Sequence, residues 1–301
     1  MKRLAILFAA AAVVYAFTTK LLATDREAKA EAAELRAEGK SVVSSSDIQP
    51  EADGSKPEAE SSEEETSNTN ANVSSTLPEG MRLPKYETSR GGQVITHTGY
   101  TVKYDADYKT PQWVAWSLTA EQAEGTVPRE KEFYPDPDVR GAKAYPKDYA
   151  NSGYDRGHMA PAGDMKWSAK AMKESFYMSN MCPQNRNLNR GDWKELEELE
   201  RKWAVSHGVV NIAAGPIYYN VSPTRIGNNK VAVPDAFFKV ILVDYPKAPK
   251  AYGFIFKNEA GSHPLSSYQL TVNEVEKATG MDFFPGLSEK VESQKPALTK
   301  R

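Results

Sequence analysis

Apolar and polar positions change rhythm several times along the chain, and those changes divide it. Leu4 to Phe17 contains no charged residue, and apolar character resumes at Leu21 to Ala23. Asp25 to Lys40 is rich in Ala, Glu, Lys and Arg, as in a short exposed helix. Ser41 to Pro78 is dominated by Ser, Glu, Asn and Thr, lacks aromatic residues, and cannot bury enough apolar surface to offset chain entropy. Ordered patterning returns near Leu83. From there, β-branched and aromatic runs bounded by turn residues predict strands at Tyr100 to Tyr104, Trp113 to Leu118, Phe176 to Met181, Val209 to Ala214, Phe237 to Val243 and Ala251 to Phe256. Helices are predicted at Ser168 to Ser175, at Arg190 to Ser206 ending before Gly208, and at Val272 to Thr279. The last has Thr271 as N-cap, Glu274 closing a capping box and Gly280 just past its end. Strands outnumber helices without regular βαβ alternation, so the expected fold is α+β, a mainly antiparallel central sheet with flanking helices.

Three segments follow: residues 1–23 as a signal peptide or signal anchor, 24–80 as a charged, Ser- and Glu-rich disordered linker, and 81–301 as one folded domain of ordinary size. Lys2 and Arg3 ahead of the apolar run resemble an export signal. No A-x-A-like site follows closely, and Leu4 to Ala23 is about long enough to span a bilayer if Lys20 snorkels. With the basic residues held inside, the rest of the chain is expected outside the cytoplasm: periplasmic, extracellular or membrane-anchored. A buried helix of a globular domain is the alternative for this run.

The formal charge of -2 hides an asymmetry. Residues 1–80 carry 8 Lys and Arg against 14 Asp and Glu, leaving 30 against 26 for residues 81–301. The folded part is mildly basic, compatible with phosphate binding without demanding it. The single cysteine, Cys182, excludes an intramolecular disulfide and a cysteine-built zinc site, and it reads as a packing residue within an apolar run.

Candidate chemistry begins at Tyr154-Asp155-Arg156-Gly157-His158-Met159-Ala160-Pro161. In an extended segment Arg156 and His158 project to the same side and can address one phosphate. A neutral imidazole can take a proton from water, and a guanidinium offers donors to phosphate oxygens, a pairing suited to phosphodiester hydrolysis. The alternative is an Asp155–Arg156 ion pair beside a core histidine. Next come Tyr177 to Gln184 and then Leu188-Asn189-Arg190-Gly191-Asp192-Trp193, which opens a helix. At that entrance Asn189 is either an N-cap or a site residue. Trp193, Leu196, Leu199 or Glu200, and Trp203 recur at helical spacing as a core stripe. Glu197 follows Asn189 by eight positions, an offset of about 80° at roughly 100° per residue, so both can border one site. By default it is a solvated charge.

Together these segments resemble the sugar-nonspecific DNA/RNA endonucleases. The Asp155 to His158 run looks like that family's DRGH signature. "YMSNMCPQ" (Tyr177 to Gln184) and "LNRGDWKELE" (Leu188 to Glu197) are similar to its second and third segments, in the same order, and weaker likeness covers most of residues 95–288. The resemblance implies a ββα-metal site and a magnesium-dependent endonuclease cleaving DNA and RNA, with manganese as the alternative ion. His158 would be general base, Asn189 the sole direct protein ligand of the metal, and Glu197 linked to it through water. Asn180 would help position the site, and Arg156, Arg129 and Arg201 would contact phosphate. A membrane contact through an uncleaved N-terminus and a homodimer complete the expected partners. Rival readings are a phosphodiesterase for small diesters and a membrane-tethered, catalytically decayed nucleic-acid-binding module.

Overall fold

The computed structural model describes residues 77–86 and 91–298, so the expectations for 1–23 and for 24–76 lie outside the described residues. Leu77, ahead of the expected boundary at 81, is buried and shares a cluster with Met81 and Trp113. Among the described residues, no helix is long and apolar enough to cross a membrane.

The centre is a seven-stranded sheet, antiparallel at every pairing. Its order from edge to edge is Gln269–Leu270, Lys250–Lys257, Ala236–Val243, Val209–Ile217, Thr110–Thr119, Thr101–Asp105 and Gln93–Thr96. Both faces of its middle are covered. In Ala236–Val243 every residue is buried, and alternate positions serve opposite sides because side chains alternate along a strand. Phe237, Ile241 and Val243 join the cluster containing Trp193, Leu196 and Trp203 of the Asp192–His207 helix. Phe238, Val240 and Leu242 join the one containing Val272 and Val275 of the Val272–Thr279 helix. That second helix has the predicted Thr271–Glu274 capping box, and Gly280 takes the left-handed conformation that ends it. The α+β architecture expected from the sequence is the one observed.

Two local expectations need correction. Phe176 to Met181 is not one strand: Met178–Asn180 forms a 3-10 turn, and the strand is Met181–Gln184. Asn180 causes the difference, because its amide satisfies backbone groups of Ala160 and Ser175 and bends the chain around itself. The helix over Arg190 to Ser206 is also interrupted. Arg186–Arg190 is a separate short helix, Gly191 breaks it, and Asp192–His207 follows. A Cβ at Gly191 would come within 2.7 Å of the Asn187 carbonyl oxygen, so the sharp step between the helices needs glycine.

Candidate active site

Against the Trp193 side of the sheet sits a two-stranded ribbon, Asp155–His158 paired antiparallel with Met181–Gln184, and the Arg186–Arg190 helix follows the second strand directly. Gly157 lies opposite Cys182, and any side chain there would strike Gln184. The ribbon and the two helices wall a cleft lined by Arg156, His158, Asn189, Glu197, Arg201 and Arg129. Six of the seven site residues proposed from the sequence therefore converge. Asn180 does not line the cleft; it is fully buried beneath it. There it accepts from the Ala160 N–H at 2.9 Å and donates to the Ala160 and Ser175 carbonyls, each at 2.9 Å, which fixes the chain just after His158.

His158 is 8% exposed, and its ring packs against Phe176 (centroids 4.9 Å apart) and Phe133 (5.6 Å). Trp193 Nε1 donates to the His158 carbonyl at 3.3 Å, tying the ribbon to the core. The ring's Nε2 is buried without a partner among the described residues. Burial, with the Arg129 and Arg156 charges adding to it, pushes the imidazole pKa down to about 3, so the ring is neutral at ordinary pH. Arg156 lies 4.3 Å over the Phe133 ring and Arg129 5.0 Å over Phe176, so two cations are held on the aromatic wall that encloses the histidine.

Asp155 does not pair with Arg156, contrary to the alternative drawn from the sequence. It accepts from Arg190 Nε at 2.9 Å, from Arg186 Nε at 3.4 Å and from Asn189 Nδ2 at 3.1 Å, and these donors hold its carboxyl below the usual range despite partial burial. Asn189 is accordingly no N-cap. The cap of the short helix is Asn185, whose Oδ1 accepts from the Asn187 and Leu188 N–H groups. Asn189 sits at the far end of that helix, its Nδ2 committed to Asp155 and its Oδ1 without a partner among the described residues.

Glu197 is half-buried on the long helix and makes no hydrogen bond among the described residues. Burial pushes its carboxyl up to about 7 against the pull of Lys239 and Arg201. Behind it lies a charge network that sequence reasoning did not find. Arg201 donates to Asp164 at 2.9 Å, Trp116 Nε1 donates to the other Asp164 oxygen at 2.9 Å, and fully buried Lys239 pairs with fully buried Glu200 at 3.2 Å. The Lys239 ammonium also lies 4.4 Å over the Trp193 ring. A lysine inside the apolar run Phe237 to Val243 was the available signal, since a charge in a strand buried on both faces requires a partner.

A neutral imidazole, three guanidinium groups, a free amide oxygen and an unpaired carboxylate thus face one cleft, a combination suited to an anionic substrate. The sequence profile of the DNA/RNA non-specific endonucleases matches residues 78–290. The chain belongs to that family. Among relatives, it is 36% identical over 213 residues to "Nuclease EXOG, mitochondrial" of Danio rerio, covering 65% of this chain and 62% of the relative. To "Endonuclease G, mitochondrial" of Homo sapiens it is 32% identical over 219 residues, covering 68% and 74%. A solved structure described as the EndoG/EndoGI complex contains a chain with a TM-score of 0.65 and 32% identity, matched over 70% of this chain and 94% of that one. The chain spans less than two thirds of the length of the EXOG relatives, 62% in Danio rerio and 58% in Homo sapiens.

These relatives overturn the expectation of an exported chain: both EXOG proteins, endonuclease G and "Nuclease 1, mitochondrial" of Schizosaccharomyces pombe carry mitochondrial names. The physical reason is that basic residues followed by an apolar run are features that more than one targeting system reads, and the run alone does not separate them.

Proposed function

We propose that the chain is a magnesium-dependent endonuclease that hydrolyses phosphodiester bonds of DNA and RNA at this cleft. The observation that carries the reading is the convergence of a neutral, aromatic-walled His158 with Arg129, Arg156, Arg201 and the free amide oxygen of Asn189.

The donor set fits a magnesium ion. Among the described residues no group of three or more His, Cys, Asp or Glu could hold a metal, which disfavours a thiolate or imidazole cage. One amide oxygen aimed by Asp155 and one unpaired carboxylate nearby match the needs of an ion that keeps most of its water and takes few protein ligands. Asn189 would hold it directly and Glu197 through water. When bound, the ion supplies positive charge to the phosphate and to the leaving 3′ oxygen.

The chain's own residues supply the rest. Arg156 and Arg129 bind phosphate oxygens, while Phe133 and Phe176 keep their guanidinium groups oriented. His158 accepts the proton of the attacking water at Nδ1, the ring nitrogen not sealed in the aromatic wall. Its low basicity is partly due to Arg129 and Arg156, so a phosphate that neutralises both raises that basicity where the reaction needs it. Asn180 keeps His158 in place through Ala160. The groups assigned here address a phosphate rather than a base edge or a 2′ hydroxyl, which favours acceptance of both nucleic acids.

Incubating the full chain with plasmid and with RNA, with and without EDTA, tests this. Cleavage of both that stops in EDTA is expected; no cleavage of either with magnesium present defeats it. The relatives' names point to a mitochondrial compartment for this chain as well, which fractionation of cells expressing it checks.

A further inference from the structure

The Arg186–Arg190 helix has five residues and buries only Leu188. So short a helix does not hold its own shape or place in water, so the position of Asn189 depends on whatever grips the helix from outside. Asp155 holds it through side chains, those of Asn189 and Arg190 at its end and that of Arg186 at its start. Its beginning is gripped by Asn258, a half-buried residue just past the Lys250–Lys257 strand and more than sixty positions away in sequence.

Asn258 uses its whole amide there. Its Oδ1 accepts from the Asn185 N–H at 2.7 Å, and its Nδ2 donates to the carbonyls of Pro183 at 3.0 Å and Pro234 at 2.9 Å. Its own N–H donates to the Asp235 carbonyl at 2.9 Å. Pro183 lies opposite Arg156 in the ribbon, and Asn185 caps the short helix. One side chain therefore fastens the ribbon's second strand and the helix start to the Pro234–Asp235 turn, which leads into the central strand Ala236–Val243. Asparagine is required because the site asks for two donors and an acceptor in one plane, which neither aspartate nor serine supplies.

We propose that Asn258 is a positioning residue for the metal site: it fixes the start of the Arg186–Arg190 helix to the main sheet and thereby sets where the Asn189 oxygen stands. This rests on reading Asn189 as the residue that holds the metal. Arg129 and Arg201 are carried by other segments, so the proposal separates metal binding from nucleic-acid binding.

The test uses the full chain and Mn2+ alone, with free ion followed by electron paramagnetic resonance, so that no turnover is needed. Asn258→Ala is expected to weaken Mn2+ binding about 10-fold or more, as loss of support for a metal ligand does. Its affinity for a DNA duplex in EDTA should stay within about twofold of wild type. The magnesium midpoint for cleavage should rise by the same factor as the Mn2+ constant, and Asn258→Asp, which keeps the acceptor and loses both donors, should not restore it. Wild-type Mn2+ binding in Asn258→Ala overturns the proposal. If Asn189→Ala loses Mn2+ while Asn258→Ala keeps it, the positioning idea alone fails; if Asn189→Ala also binds normally, the metal assignment fails with it. Should Asn258→Ala not fold, Asn258→Asp decides on the same Mn2+ measurement, because it keeps the acceptor for Asn185 and loses the bonds to Pro183 and Pro234: a weakened Mn2+ constant supports the proposal and a wild-type constant sinks it.

Discussion

Asp155 accepts a hydrogen bond from the Asn189 amide nitrogen at 3.1 Å, and that contact decides which end of the amide faces the cleft. With the nitrogen committed, the carbonyl oxygen is left for a ligand. The DRGH aspartate therefore acts on a residue 34 positions away, not on its neighbour Arg156.

The first prediction follows from that relationship. Asn189→Ala should cost more than about 100-fold in cleavage rate with little change in melting temperature, because the side chain satisfies no backbone group. Asp155→Ala should leave the oxygen present but unaimed and raise the magnesium midpoint by about 10- to 100-fold. The arginine pairs lost with it are exposed and worth about 0–1 kcal/mol. Cleavage rate against magnesium concentration, with thermal melts alongside, measures both. A wild-type midpoint in Asp155→Ala would show that the hydrogen bond does not orient the amide for the metal.

His158→Ala should lower cleavage about 10²- to 10⁴-fold while nucleic-acid binding persists, since the ring is assigned to proton abstraction. Filter binding in EDTA and single-turnover cleavage separate the two properties. A cleavage rate within threefold of wild type would remove His158 from the role of base.

Much of this was legible in the chain because it depends on local rules. The apolar run at Phe237 to Val243 and the capping box at Thr271 marked two of the layers, and Arg156 and His158 share a side for the reason that any extended segment alternates. Asn189 and Glu197 do line one cleft, but not by the spacing counted along a single helix, because Gly191 breaks the helix between them. What stayed hidden lies between distant segments. Nothing near Asp155 says that its partners are Arg186, Asn189 and Arg190, and nothing near Asn258 says that it holds Pro183 and Asn185. The strand expected at Phe176 to Met181 failed for the same reason, because Asn180 bends the chain to satisfy Ala160, twenty residues earlier.

The burial of Leu77 and Met81 yields another prediction. Leu77 is 3% exposed and Met81 7%, both in the core cluster that holds Trp113 and Phe238. A chain lacking residues 1–76 should be soluble and fully active, whereas one lacking 1–84 should lose roughly 1.5–3 kcal/mol for each of the two buried side chains. Thermal melts of the two truncations, with plasmid cleavage as the activity measure, test it. Equal melting temperatures would mean that Leu77 and Met81 contribute nothing to the core.

Glu197 gives the last prediction, through the dependence of stability on pH. Its carboxyl is raised from an ordinary value of 4.5 to about 7 by burial in the cleft. Below pH 4.5 the group is protonated in both the folded and unfolded chain, and its full favourable contribution to folding is present. Between pH 4.5 and 7 the unfolded chain has lost the proton while the folded chain keeps it, so stability falls as pH rises through that window. Above about pH 7 both states are charged and the loss is complete, on the order of 3 kcal/mol at about 1.4 kcal/mol per unit. Glu197→Gln mimics the protonated form at every pH and should abolish this component. In EDTA the variant and wild type should melt together near pH 4.5, and the variant should melt higher by pH 8, by roughly 5–10 °C for a domain of this size. Glu200 and Glu292 are raised as well, to about 8 and about 7, so wild type and variant will both slope; the difference between them isolates Glu197. A constant difference from pH 4.5 to 8 would mean that Glu197 stays charged in the folded cleft. Its free carboxylate would then stand ready at every working pH, with no proton to lose before it can serve the metal.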